Sequence, residues 1–113
     1  MAKEKLVILW TSGERETAET MVFMYAQNSL IHDWWQDVTL VVWGASAKLL
    51  GGDEELQEQL FGLKKEGVRL EACKVCAEMG GVSEQLTALG IDVKYMGEVL
   101  TSYIKEDRHI LTV

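Results

Sequence analysis

Two short stretches of almost unbroken apolar residues constrain the fold of this chain more than any other feature. They are residues 5–10, KLVILW, and residues 38–43, VTLVVW. A strand with this composition is buried on both faces, which is typical of a parallel sheet that is covered by helices. The two stretches therefore predict an α/β protein in which these strands lie inside the sheet.

Strand and helix patterns alternate along the rest of the chain. The predicted helical segments are residues 14–30, 47–50, 54–66, 74–79, 83–89 and 98–105, and the further strands are residues 68–73, 91–96 and 109–113. The order is β-α-β-α-β-α-β-α-β, and its short connections predict right-handed crossovers. We therefore expect a five-stranded, mostly parallel sheet with helices on both faces.

Two of the predicted helices carry additional signals. Asp53 is placed to cap the helix over residues 54–66, and Gly67 is placed to end it. Ser83 is predicted to cap the short helix that follows it. The first helix has an apolar face, yet Phe23, Met24 and Ala26 make it apolar almost all round. This surplus suggests a subunit interface.

Length and charge narrow the classes of function. The chain has 113 residues, which predicts a single domain over residues 1–113. It has 18 acidic and 11 basic side chains, so its formal net charge is −7. A surface of this sign repels nucleic acid and anionic lipid. No segment has the pattern of a targeting signal or a membrane span, and a cytoplasmic protein is predicted.

Cys73-Lys74-Val75-Cys76 is the chemically distinctive motif. Cys73 ends the third predicted strand and begins a helical turn, where the helix dipole and nearby Lys74 favour the thiolate. A thiolate can attack sulfane sulfur and hold it as a persulfide, or can attack a disulfide. Cys76 can resolve an intermediate or pack under the turn. Both cysteines can equally be small buried hydrophobic residues.

Other uses of the pair are less well supported. A thioredoxin-like domain normally carries a cis-proline beside its Cys-x-x-Cys motif, and this chain has no proline. A structural zinc site needs four ligands, whereas His32 and His109 lie far from the single pair in sequence. We predict neither a cofactor nor a metal within one chain, and metal shared between subunits remains open.

Ligands of parallel sheets bind at the carboxyl ends of the strands. The predicted pocket residues at that edge are Thr11, Ser12, Gly13, Gly44, Ser46, Met96 and Gly97. The turn over residues 11–13 can cradle a phosphate, but it lacks the established glycine motifs. Elsewhere, His32 beside Asp33 is a weaker candidate base, and Trp34 and Trp35 are better suited to covering a sheet edge or an interface than to stacking a ligand.

The segment over residues 72–82, ACKVCAEMGGV, resembles the cysteine segment of the DsrE/DsrF-like family, particularly its YchN-like branch. In that branch a strand ends in Ala-Cys-x-x-Cys, and the segment closes on glycine and an aliphatic residue. The Ser-Gly turn after the first strand, the Trp-Gly after the second and the terminal strand also match. In residues 78–81 this chain has Glu-Met-Gly-Gly where many members have Asp-Ala-Arg-Gly.

The resemblance implies a flavodoxin-like three-layer sandwich that assembles as a trimer or hexamer. It also implies that Cys73 accepts sulfur as a persulfide and passes it to a partner protein, with Cys76 as the second cysteine. The resemblance therefore points to a sulfurtransferase in which Lys74 is an electrostatic helper. Its partner would be a protein that donates or accepts sulfur. The alternative is a non-enzymatic oligomeric scaffold or small-ligand-binding module with structural cysteines.

Overall fold

A computed structural model describes residues 4–113 of the protein, and this part of the chain forms one sheet with helices on both faces. The strands are β1 (Lys5–Trp10), β2 (Asp37–Val42), β3 (Arg69–Cys73), β4 (Asp92–Lys94) and β5 (His109–Thr112). The helices are α1 (Arg15–Thr17, Ala18–Phe23 and Met24–Ile31 in succession), α2 (Ala45–Gly51), α3 (Glu54–Glu66), α4 (Lys74–Met79), α5 (Ser83–Ala88) and α6 (Gly97–Lys105). The predicted element order is confirmed.

The five strands lie in the order β4-β3-β2-β1-β5, and every neighbouring pair is parallel. The chain moves in one direction from β1 to β4 and then returns across the sheet to β5. Because right-handed crossovers in opposite directions place their helices on opposite faces, α1 to α5 lie on one face and α6 lies alone on the other. The predicted α/β fold is confirmed, with a very uneven division of the helices.

The face that carries α1 to α5, called here the five-helix face, holds the larger core. Its strand residues include Ile8, Trp10, Leu40 and Val42, all of which have no exposed surface. The opposite side, called here the single-helix face, has a core of only four buried residues, Val7, Val41, Cys73 and Met96. Successive residues of a strand point to opposite faces, so Cys73 belongs to the smaller core while its neighbour Ala72 belongs to the larger.

The apolar surplus of α1 is largely used within the chain. Phe23 is only 3 % exposed and its ring packs edge-on against Trp10, and Ala26 is fully buried. The stretch Ala18–Phe23 is π-helical, and such a turn holds more residues than an α-helical turn. The buried stripe therefore widens to include both Val22 and Phe23. The expectation that these residues form a subunit interface is wrong for Phe23 and Ala26, which are buried. Of the three residues, Met24 is the one that is exposed.

The predicted capping residues are confirmed for α3 but not for α5. The carboxylate of Asp53 accepts a hydrogen bond from the backbone amide of Leu56 at 3.0 Å, and Gly67 ends α3 in the left-handed conformation. Both predictions for this helix are confirmed. Ser83 is instead the first residue of α5, which follows Val82 and has no capping side chain. The prediction that Ser83 caps this helix is wrong by one position.

Strand ends differ from the prediction by one or two residues. β2 begins at Asp37 and β3 at Arg69, and β4 spans only Asp92–Lys94. β4 is an edge strand paired to β3 alone, so few hydrogen bonds define its length. Within residues 4–113, no helix is both long and apolar enough to cross a membrane. The prediction of one domain over residues 1–113 also covers residues 1–3, which lie outside the described part.

Candidate functional site

The cysteine pair lies at the one place in the sheet where neighbouring strands send their connections to opposite faces. The chain leaves β3 for α4 on the five-helix face and leaves β4 for α6 on the single-helix face. In open α/β sheets, such a divergence is where a crevice for ligands is expected, beyond the carboxyl ends of the two strands. Cys73 ends β3. Met96 follows β4 and lies in the same buried cluster as Cys73.

Cys73 occupies the position immediately before α4 and is only 6 % exposed. Its Sγ accepts a hydrogen bond from the backbone amide of Cys76 at 3.4 Å. The thiol of Cys76 donates a second hydrogen bond to the same sulfur, with the two Sγ atoms 2.9 Å apart. Both cysteines are free thiols. The spacing of three residues brings the sulfur atoms together because α4 turns back over the end of β3.

Burial raises the pKa of the Cys73 thiol, and the adjacent Cys76 thiol adds to the effect. The backbone amide of Cys76 acts in the opposite direction but does not overcome the loss of solvation. The amides at the start of α4 therefore lower this pKa as expected, but burial outweighs them, so the net lowering that the sequence suggested is wrong. The sequence indicates the helix start, but the covering of Cys73 by Met96 depends on a contact across 23 residues of sequence.

Cys76 has a different environment from that of Cys73. It is partly exposed, packs against both cores, and lines a pocket of about 310 Å³ together with Gly44, Lys48, Met79 and Gly80. The walls of this pocket are mainly apolar, and Lys48 is the one charged residue that lines it. The pocket connects the end of β2 with α4, so the structure brings predicted residue Gly44 next to the cysteine pair.

Lys74 is the first residue of α4, and its side chain reaches towards the end of β4. Its Nζ is 5.0 Å from the centre of the Tyr95 ring, a distance that permits a cation–π contact. Tyr95 follows β4, so this contact bridges the two strands that bound the crevice. Lys74 is not among the groups that shift the pKa of Cys73. Its role as an electrostatic helper stays a prediction.

The turn after β1 is held by the end of β5. The backbone amides of Thr11 and Ser12 donate to the carbonyl oxygen of Val113 at 2.7 and 3.2 Å, and the Thr11 hydroxyl donates to the same oxygen at 3.0 Å. Gly13 approaches Ala45, where an added Cβ would lie 3.1 Å from the Ala45 Cβ. These amides are already occupied in this arrangement, and a pocket role for Thr11 and Ser12 stays a prediction.

Gly44, Ser46, Met96 and Gly97 occupy four different settings. Gly44 has φ +70°, a left-handed conformation that favours glycine, and it faces the Cys76 pocket. Ser46 is fully buried, and its hydroxyl donates a hydrogen bond to the Trp10 carbonyl oxygen at 2.6 Å, which ties the end of β1 to the start of α2. Met96 covers Cys73, whereas Gly97 is exposed at the first turn of α6. Gly44 and Met96 are thus the two candidates that adjoin the cysteine pair.

The histidine and tryptophan candidates lie at the opposite end of the sheet. His32 stacks on Trp34, with ring centres 5.2 Å apart, and Trp35 donates a hydrogen bond to the Tyr25 hydroxyl at 3.1 Å. Both tryptophans precede β2, so they flank the amino ends of the strands. Throughout residues 4–113, no three His, Cys, Asp or Glu side chains are grouped so that they could hold a metal ion.

Sequence reasoning missed a polar network beside Cys73. Glu71 is only 8 % exposed, and its carboxylate accepts hydrogen bonds from the Tyr103 hydroxyl at 2.6 Å and from Lys94 Nζ at 2.7 Å. Burial and the contact with Glu71 raise the pKa of Tyr103 to about 12. Glu71 shares its face of β3 with Cys73, and a carboxylate inside a buried strand is the signal that could have identified it. Lys48 was also missed, because no local pattern indicates its pocket.

Comparison with known proteins gives the chain a family. The family model described as the DsrE/DsrF-like family matches residues 4–112, and the chain belongs to this family, which is broadly linked to sulfur relay. This confirms the resemblance that was drawn from residues 72–82. No curated protein matches the chain significantly.

Two solved structures share the fold. The conserved protein of unknown function BT1422 from Bacteroides thetaiotaomicron is 41 % identical with a TM-score of 0.94, over 97 % of this chain and 95 % of that one. The ychN protein from E. coli is 16 % identical with a TM-score of 0.65, over 96 % of this chain and 98 % of that one. The second likeness, at the level of the fold, agrees with the YchN-like resemblance.

Proposed function

Because the chain belongs to the DsrE/DsrF-like family, we propose that it is a sulfur-relay protein in which Cys73 carries sulfane sulfur as a persulfide. The observation that carries this proposal is the pair of free thiols, 2.9 Å apart, at the crevice between β3 and β4. The partners would be a protein that donates sulfur and one that accepts it, within a cytoplasmic homo-oligomer, a trimer or hexamer.

The proposed transfer needs no external oxidant or reductant. The Cys73 sulfur bonds to the outer sulfur of a donor persulfide R–S–SH, the original S–S bond breaks, and the donor leaves as a thiolate that takes the Cys73 proton. One S–S bond forms and one breaks. The reverse sequence on an acceptor thiol returns Cys73 to its free state. Hydrogen bonds from the amide and thiol of Cys76 are available to a Cys73 thiolate during the exchange.

The burial of Cys73 supports a carrier role in particular. A persulfide on an exposed cysteine is open to any small thiol in solution, whereas Cys73 is 6 % exposed under Met96 and the start of α4. The same burial raises the pKa of Cys73 and slows its reaction with unselected reagents. A buried carrier therefore keeps its sulfur until a partner approaches the crevice.

Intact mass spectrometry after incubation with a sulfane-sulfur donor tests the proposal. We expect the wild type to gain about 32 Da per chain and to keep it when a small neutral thiol is then added. The variant Cys73→Ser should lose its adduct in that second step. If the wild type gains no sulfur, or Cys73→Ser retains it equally well, the carrier role is wrong.

The raised pKa of Cys73 also favours the second candidate, a non-enzymatic oligomeric scaffold with structural cysteines. In that case the Cys73 sulfur would serve only as a hydrogen-bond acceptor at the start of α4. Uptake of sulfane sulfur distinguishes the two, because both candidates predict a Cys73 thiol that is alkylated slowly. A Cys73 thiol that stays unreactive up to pH of about 9, and that takes up no sulfur, supports the scaffold.

A further inference from the structure

The carrier role proposed for Cys73 does not use the pocket beside Cys76. This pocket is lined by Cys76 and not by Cys73. We propose that this pocket is the binding site for a small anionic organic persulfide, and that Cys76 takes the sulfur from it before Cys73 does. This inference rests on the proposed sulfur-carrier function, but a small organic persulfide takes the place of the donor protein, and Cys76 rather than Cys73 attacks the donor.

Access to the two sulfur atoms supports this order of transfer. Cys76 lines the pocket of about 310 Å³, whereas Cys73 does not. Cys73 is buried at 6 % exposure, and Cys76 is partly exposed. A donor that arrives from solvent through this pocket therefore meets Cys76 first.

The walls of the pocket suit a small organic molecule. Met79 is 84 % exposed and forms an apolar side, and Gly44 and Gly80 keep two other sides free of side chains. A Cβ added at Gly80 would lie 3.3 Å from the Lys48 Cβ and 3.4 Å from the Cys76 carbonyl oxygen. The glycine therefore allows α2 and α4 to approach each other around the pocket.

Lys48 supplies the preference for a negative charge. Within residues 4–113, its ammonium group has no carboxylate within salt-bridge distance; other exposed lysines such as Lys65 share this property, but Lys48 is the lysine that lines this pocket. An unpaired cation at an apolar pocket, in a chain of net charge −7, is suited to an anionic ligand. A donor that combines an apolar stem with a carboxylate fits these walls.

The relay between the two cysteines conserves electrons. Cys76 attacks the outer sulfur of R–S–SH, the donor S–S bond breaks, RS⁻ leaves with the proton of Cys76, and a Cys76 persulfide forms. Cys73 then attacks the outer sulfur of that persulfide, and Cys76 leaves as a thiolate that takes the Cys73 proton. The two Sγ atoms are 2.9 Å apart, so an outer sulfur about 2.05 Å from Cys76 Sγ lies within reach of Cys73.

Rates of charging by two persulfides of opposite charge test the proposal. Glutathione persulfide is anionic and cysteamine persulfide is cationic, and mass spectrometry of rapidly quenched samples follows the gain of sulfur. We expect Cys76→Ser to charge roughly tenfold or more slowly than the wild type. Lys48→Gln should slow charging by glutathione persulfide about threefold and leave cysteamine persulfide unaffected. Lys65→Gln, an equal change of charge at an exposed lysine on α3, is the matched control.

The outcomes separate this inference from the carrier function. If Cys76→Ser charges at the wild-type rate, or Lys48→Gln and Lys65→Gln behave alike, the pocket is not the donor site, although the protein can still be a carrier. If no form of the protein gains sulfur, the carrier function itself is wrong.

A measurement on the wild type avoids any doubt about folding of the variants. Brief treatment with iodoacetate should label Cys76 before Cys73, as read by peptide mapping. Labelling of Cys73 first would overturn the proposed order.

Discussion

The two faces of the sheet use buried space in opposite ways. The five-helix face is filled by apolar side chains from five helices, and Ile8 and Leu40 lie at its centre with no exposed surface. The single-helix face has four buried core residues, and next to them lie the Glu71 carboxylate and the Thr39 hydroxyl. The five-helix face provides most of the apolar packing that stabilises the fold. The single-helix face also holds buried polar and reactive groups. Cys73 belongs to the second face.

The largest expected effect is a loss of packing on the five-helix face. Leu40 is fully buried, so Leu40→Ala removes apolar contacts and leaves a cavity. We expect the free energy of unfolding to fall by about 2–5 kcal/mol, as measured by urea denaturation. Val42→Ala and Val41→Ala remove the same two carbons from opposite faces of this strand, so they are the matched pair, and Val42→Ala should cost more. Equal losses at the two positions would remove the contrast between the faces.

An intermediate effect is expected from Tyr103, which joins α6 to Glu71 on the single-helix face. The folded state raises the pKa of Tyr103 from 10.0 to about 12, so it favours the neutral phenol. The resulting stabilisation is complete below pH 10 and is lost as pH rises to about 12. Thermal unfolding between pH 9 and 12 should therefore show a decline that is shallower in Tyr103→Phe.

Some decline should remain in that variant, because contacts with Asp92 and Glu71 also raise the pKa of Lys94. At neutral pH, Tyr103→Phe should cost about 1–2 kcal/mol through the loss of a hydrogen bond to a carboxylate. Identical pH profiles for the two proteins would show that Tyr103 does not contribute this stabilisation.

The smallest expected effect has the opposite sign. Thr39 is fully buried on the single-helix face, and its hydroxyl has no hydrogen-bond partner among the described residues. Thr39→Val replaces that hydroxyl by a methyl group of similar size and removes an unsatisfied polar atom. We expect unfolding in urea to show no loss, or a gain of up to about 1 kcal/mol. A clear destabilisation would mean that the hydroxyl has a partner in the assembled protein.

The division between the faces explains what could be predicted from the sequence. Residues 5–10 and the signals at Asp53 and Gly67 are local, and they indicated β1 and α3 correctly. The order of the strands is not local, because the side of β1 on which β5 pairs depends on the whole path of the chain. For that reason the sequence could not show that α6 lies alone on its face.

The candidate site shows the same limit. The spacing of Cys73 and Cys76 predicted a pair at the end of a strand, and the structure has it. The direction of the Cys73 pKa, the contact of Lys74 with Tyr95 and the pocket at Lys48 all depend on residues that are distant in sequence. Contacts with residues that are distant in sequence therefore set these properties. For the Cys73 pKa, the resulting burial outweighs the local effect of the helix start.

The pairing of β5 with β1 has a consequence for how the protein is made on the ribosome. Synthesis proceeds from the amino end, and paired residues are 32 positions apart between β1 and β2 but 103 positions apart between β1 and β5, so β1 can meet β5 only much later. Until then one edge of β1 has no partner, and the amides of Thr11 and Ser12 lack the Val113 carbonyl. A strand that is translated early therefore gains its second neighbour only when β5 has emerged.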